Sequence, residues 1–396
     1  MKILLVAEGA TLAHVARPLV LAEEFTRLGH DVILAAPPRY AWAFTDAAFE
    51  VRPLDAQSPE IFAGRLAAGD SLYDLATLDR YVDIDRALIR SVRPDLVVGD
   101  FRLSLCVSAR LENVAYTSLS NAYWSPHYAH PGAWPVPDLP LTRFLPISVA
   151  AWLFNKVRPI AFAQHAKPMN ALRKRHGLSG LGGNLQAVYT DADAVCYCDV
   201  PSLFALKGAP ASHRIVGPLI WSPPGSPPPW WDHLPSGKPV AYLSLGSSGR
   251  ADLAAPAAHS LAAAGFVVML STAGAAADID MPDVFHARLL PGLDACRRAD
   301  IVVCNGGSPT TQQALAAGRP VLGIASNLDQ FLNMQALTNG GVGALHRADR
   351  FDAGALARMA QGLLANDAAR QRAGHIAREM SVLTPAAVAG NVLNQR

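Results

Sequence analysis

Asp300-Ile-Val-Val-Cys-Asn305-Gly306-Gly307-Ser308-Pro309-Thr310-Thr311 reads as a strand, a tight turn and the opening of a helix. Residues 300–304 form a short apolar run suited to a buried strand. Two glycines then let the backbone turn sharply and approach a ligand. Ser308 reads as an N-cap and Pro309 as the first helical residue. Gly318 and Pro320 end that helix, and residues 321–325 return as the next strand. A Gly-Gly turn that feeds a helix N-terminus at the carboxyl end of a parallel strand is a ready anion site, and a diphosphate suits it.

Outward from this stretch, the chain of 396 residues is long enough for two domains, each with a full core. Hydrophobic residues make up 51% and charged ones 17%, as expected of an α/β protein with buried parallel sheets. A net charge of +2, with both signs mixed along the chain, argues against nucleic-acid binding. The amino-terminal apolar run is too short for a signal peptide and reads as a first strand, so a cytoplasmic location is expected. Cys106, Cys196, Cys198, Cys296 and Cys304 are scattered and read as buried thiols, not metal ligands. Residues 144–154 are apolar between Arg143 and Lys156 but too few to span a bilayer. They read as a buried helix or, alternatively, as an amphipathic segment that touches a membrane or covers an apolar substrate.

Strand signals over 2–7, 31–35, 49–53, 95–98, 114–117 and 194–197 alternate with helical ones, notably 14–28 and 72–91. A proline-rich stretch follows, and a second series of strands reads at 239–245, 266–270, 284–287, 301–304, 321–324 and 343–345. Regular alternation implies doubly wound parallel sheets. The expected plan is a first domain over 1–216, a linker over 217–238, a second domain over 239–380 and a last helical segment, 381–396.

The run from Asn305 to Pro320, with Asp329-Gln330 and Asn333 beyond it, resembles the donor-binding signature of family 1 glycosyltransferases with the GT-B fold, the UDP-glycosyltransferase and macrolide-glycosyltransferase superfamily. One departure is Asn305, where that family most often has histidine. The resemblance implies two Rossmann-like domains facing a central cleft, the final helix crossing back to the first. It also implies transfer of a hexose from a UDP- or dTDP-sugar to a hydroxyl of a small hydrophobic acceptor, such as a natural-product aglycone or a lipid. Inverting chemistry without a metal or other cofactor is expected. Asn305, Gly306, Gly307, Ser308, Thr310 and Thr311 fall where the family holds the donor diphosphate, as does Ser247 in the turn Gly246-Ser247-Ser248. Asp329 and Gln330 match the family's sugar-binding pair. The family's nucleobase platform is an aromatic-x-Pro pattern; here Leu289 and Leu290 precede Pro291, with no stacking ring.

An acceptor alcohol needs a general base. His14, in Glu8-Gly9-Ala-Thr11-Leu-Ala-His14-Val-Ala-Arg17-Pro18, matches the family histidine, and Asp100 at the end of a strand matches its paired aspartate. Glu8 shares that turn. Asn121, Tyr123, Trp124 and Trp134 lie in an aromatic-rich region, 121–154, that lines the acceptor pocket in the family. A non-catalytic sugar-nucleotide-binding protein, favoured by Asn305 alone, and a nucleotide-sugar epimerase are the competing readings.

Overall fold

A computed structural model describes residues 1–223, 225–246, 248–274 and 281–394. Seven strands form one parallel sheet: β1 (Lys2–Ala7), β2 (Asp31–Ala36), β3 (Glu50–Pro53), β4 (Leu96–Asp100), β5 (Ala115–Ser120), β6 (Ala194–Tyr197) and β7 (His213–Ile215), in the order β3-β2-β1-β4-β5-β6-β7. Six more form a second: β8 (Val240–Ser244), β9 (Val267–Ser271), β10 (Val284–Ala287), β11 (Ile301–Cys304), β12 (Val321–Ala325) and β13 (Gly343–Arg347), in the order β10-β9-β8-β11-β12-β13. The central strands are continuous apolar runs because both sheet faces are covered: residues 3–7 of β1 and 301–304 of β11 are wholly buried.

Strand order reverses once in each sheet, between β1 and β4 in the first and between β8 and β11 in the second. At such a point the connections leave in opposite directions and open a crevice at the carboxyl ends of the strands. Ala7 of β1 pairs with Asp100 of β4, and Ser244 of β8 pairs with Cys304 of β11. Residues just beyond those pairs therefore meet at the two reversal points.

The chain forms two compact units: Met1–Ala129, Lys156–Leu219 and Leu383–Arg396 make the first, and His130–Asn155 with Ile220–Val382 the second. This corrects the expectation of an unbroken first domain over 1–216, because residues 130–155 belong to the second unit. Backbone carbonyls over residues 136–145 are bonded by two arginines, one at the end of β13 and one just after it. Arg347 donates to the carbonyls of Val136 (2.7 Å) and Pro137 (3.1 Å), and Arg350 to those of Thr142 (2.8 Å) and Leu145 (2.6 Å). The Asp138 N–H reaches the Ser326 carbonyl at 2.7 Å. The proline-rich stretch is also docked, since the Trp230 indole donates to the His286 carbonyl at 3.1 Å and Trp231 is buried. Helix Pro385–Leu393, capped by Thr384, packs on helix Ala13–Arg27 of the first unit.

Candidate active site

In the first unit, helix Ala13–Arg27 follows β1 and carries His14 in its first turn. Pro18 lies four residues on and has no N–H to give the His14 carbonyl, which loosens the helix there. Asp100 ends β4, wholly buried. His14 Nδ1 lies 2.9 Å from Asp100 Oδ1. Arg17 grips the same carboxylate through both arms, Nε to Oδ2 at 2.7 Å and Nη2 to Oδ1 at 2.8 Å. Burial alone would raise the Asp100 carboxyl, but the Arg17 guanidinium and the His14 bond outweigh it and hold it below the ordinary aspartate range. An ionised Asp100 accepts from His14 Nδ1–H, which leaves the lone pair on Nε2. The His14 ring stacks on Phe101, 4.7 Å between centroids and 15° between planes.

Arg17 was not singled out by sequence, although its i+3 spacing from His14 places both on one helix face. Its third contact, Nη1 to Asn121 Oδ1 at 2.9 Å, extends the network. Asn121 in turn donates to Asp199 at 2.9 Å. That buried position corrects its expected place in an acceptor wall: Asn121 supports Arg17. Tyr123 is wholly buried as well and packs against Phe204, so it belongs to the core.

Glu8 is corrected on the same ground. Its carboxylate is wholly buried, paired with Arg102 Nη1 at 3.0 Å and accepting from the Tyr81 hydroxyl at 3.0 Å. Arg102 also pairs with buried Asp85 and lies 3.4 Å from the centre of the Tyr81 ring. This closed network holds the turn after β1 from beneath. Trp124 is half-buried and meets Tyr189 edge-on at 5.1 Å, and Tyr189 meets Phe101 at 5.3 Å, so a run of rings leads to His14. Trp134 lies in the second unit, against His130.

In the second unit, the turn after β11 carries Asn305 to Gly307 and leads into helix Ser308–Ala316. Gly306 has φ +83°, and a Cβ there would stand 2.6 Å from Met334 Cγ, so the turn requires glycine. The N-cap is Gly307, not Ser308, and no side chain caps the helix. An uncapped helix start of this kind has the chemistry to take an anion. Asn305 braces the turn: Nδ2 donates to Ser248 Oγ (3.1 Å) across the strand-order reversal, and Oδ1 accepts from the Gly307 N–H (3.0 Å).

Two expected ligand contacts are corrected here. The buried Thr311 hydroxyl turns back to the Gly307 and Ser308 carbonyls, 3.1 Å from each, and accepts from Asn333 at 2.9 Å. Gln330 is 1% exposed; its Oε1 accepts from the Ser326 N–H at 2.9 Å in a capping box with Asn327, and its Nε2 donates to the Ser248 carbonyl at 3.1 Å. Gln330 therefore ties two loops together. Asp329 is half-buried in the first turn of the same helix, Leu328–Asn339, and Thr310 is half-buried in the first turn of the other. Leu290 is buried while Leu289 is 42% exposed, so only Leu289 presents a side chain outward. Ser247 lies outside the described residues.

Residues 263–394 match the family described as Erythromycin biosynthesis protein CIII-like, C-terminal domain. The chain is 42% identical over 377 residues, 95% of its length and 88% of the relative's, to a PGL/p-HBAD biosynthesis glycosyltransferase of Mycobacterium tuberculosis (strain ATCC 25177 / H37Ra). It is also 42% identical, over 95% of its length and 83% of the relative's, to a PGL/p-HBAD biosynthesis rhamnosyltransferase of Mycobacterium bovis (strain BCG / Pasteur 1173P2). Among solved structures, the Streptomyces sp. SF2575 glycosyltransferase SsfS6, complexed with thymidine diphosphate, superposes with a TM-score of 0.70 at 18% identity, covering all of both chains.

Proposed function

The chain belongs to the family 1 glycosyltransferases of the GT-B fold, and from that premise we propose an inverting, metal-independent transfer of a hexose from a dTDP- or UDP-sugar to a hydroxyl of a hydrophobic acceptor. The His14–Asp100–Arg17 arrangement carries this reading. His14 Nε2 takes the proton from the acceptor oxygen as that oxygen attacks the anomeric carbon, and Asp100 stabilises the imidazolium that forms. Arg17 keeps Asp100 ionised and oriented, so the carboxylate acts through its charge and does not itself take the proton. Rings of Phe101, Tyr189 and Trp124 favour an apolar acceptor beside the base.

On the donor side, the bond from the anomeric carbon to the diphosphate breaks as the new one forms, and charge builds on the leaving oxygen. Amides at the start of helix Ser308–Ala316 meet that charge, each such bond contributing roughly 1.5–3 kcal/mol. Asn305 is engaged by Ser248 and Gly307, so it shapes the phosphate loop. Asp329 is the group for sugar hydroxyls. A relative named as a rhamnosyltransferase and a structural neighbour holding thymidine diphosphate favour a dTDP-sugar over a UDP-sugar.

The test is transfer from a panel of dTDP- and UDP-sugars to hydrophobic phenols and alcohols, with the anomeric configuration of the product read by NMR. Inversion is expected, and His14→Ala should lower turnover about 10²–10⁴-fold with nucleotide binding retained. Retention of configuration, or normal turnover by the variant, would overturn the assignment.

A further inference from the structure

Helix Ile147–Arg175 turns the wrong face to solvent. A surface helix ordinarily buries its apolar stripe and exposes its polar one. Here Phe144, just before the helix, is 85% exposed, and Trp152 and Ile160 are 63% and 64% exposed. Val149, Leu153 and Val157 are exposed too, and the spacing of three and four residues places the helical members on one stripe. Asn155, by contrast, is turned to the protein, donating to the Trp134 carbonyl at 2.8 Å and accepting from the Trp134 N–H at 3.2 Å.

Along the sequence this region carries charge of one sign, although Arg173 and Arg175 at its far end pair with Asp191 and Asp79. Between Asp138 and Asp191 there is no acidic residue, while Arg143, Lys156, Arg158, Lys167, Arg173, Lys174 and Arg175 are all basic. Lys156, exposed, lies four residues from both Trp152 and Ile160 and so interrupts the apolar stripe with a cation. Lys167 is exposed further along, and neither lysine has an ion-pair partner among the described residues.

We propose that this face of helix Ile147–Arg175 docks on an anionic lipid surface. A membrane interface accepts both components: tryptophan and aliphatic side chains enter the headgroup and acyl boundary, and lysines meet the lipid phosphates. A second copy of the chain is the poorer occupant, because an isologous contact would set each Lys156 and Lys167 against the same basic stripe on its partner. No helix among the described residues is long and apolar enough to cross a bilayer, so the helix lies along the surface. The inference stands on the exposed face and not on the reading of His14, so either can fail alone.

Co-sedimentation of the full chain with phosphatidylcholine vesicles, with and without phosphatidylglycerol, tests it. Binding is expected with phosphatidylglycerol, weakening as salt is raised. Trp152→Glu with Ile160→Glu should reduce partition at least tenfold, and Lys156→Glu with Lys167→Glu by more than the roughly fivefold that one lysine contributes. Both pairs are at exposed positions, and circular dichroism and thermal unfolding confirm that the variants fold. Quenching by brominated lipid should be seen in the wild type and diminish in Trp152→Phe. Three results would overturn the proposal: no vesicle binding, binding indifferent to both pairs of substitutions, or a wild-type dimer that Trp152→Glu converts to a monomer, which would assign the face to a second copy.

Discussion

Asp100 shows why one side chain in this site cannot be read apart from its neighbours. Its carboxylate is buried, which by itself favours the neutral acid, yet two bonds from Arg17 and one from His14 reverse that preference. Because the folded-state value is lowered, the group stabilises the fold above the unfolded aspartate pKa, near 3.9, and that stabilisation is lost as pH falls through the folded value. Removing Arg17 leaves a buried carboxylate with a single partner. Arg17→Leu is therefore expected to cost about 3–5 kcal/mol and to move the acid unfolding midpoint to higher pH, both measurable by denaturant titration across pH. Asp100→Asn makes a sharper point about chemistry. An amide donating to Nδ1 would select the wrong tautomer and place the hydrogen on Nε2, where the acceptor proton must go. Turnover should drop by something on the order of 10⁴-fold while nucleotide binding, read by calorimetry, holds.

At the scale of elements, the strand-turn-helix unit at 301–316 was legible because its punctuation is local: a β-branched run, two glycines, then serine and proline. What the sequence did not disclose was which way each polar side chain turns. Gln330 and Thr311 have the chemistry of ligand contacts, but one closes a capping box and the other donates back to carbonyls at the start of its own helix. Glu8 and Asn121 have likewise been drawn inward by partners far along the chain, Arg102 and Arg17. Such pairings depend on the order of strands, which alternation alone leaves open. Gly306 tests the unit as a whole. Gly306→Ala places a methyl against Met334 in a backbone region that costs an L-residue about 1–2 kcal/mol. The variant should unfold at lower temperature and bind dTDP more weakly. Adding Met334→Ala removes the steric part only, so the double variant should be more stable than the sum of the two single losses, by about 1 kcal/mol in a double-mutant cycle.

Over the whole molecule, the two reversal points were implied by two β-α series, but the route of the chain was not. It leaves the first unit at Ala129, runs through the second as residues 130–155, and returns within one helix. No hydrophobic periodicity marks that excursion, since the segment is held mainly by arginine bonds to backbone carbonyls. Arg347 is central to it: besides the Val136 and Pro137 carbonyls it pairs with Asp349 at 2.9 Å and lies 4.6 Å from the centre of the Phe331 ring. Asp349 in turn accepts from the Thr142 hydroxyl. Arg347→Ala should therefore release the segment locally without unfolding the sheet beneath it. Amide hydrogen exchange across 133–145 is expected to quicken several-fold, while exchange in β11 and in residues 321–324 of β12, short of the Ala325 that pairs with Arg347, stays as it was. Uniform loss of protection throughout the second unit would instead make Arg347 part of the global fold, and the strap would have no independent stability to lose.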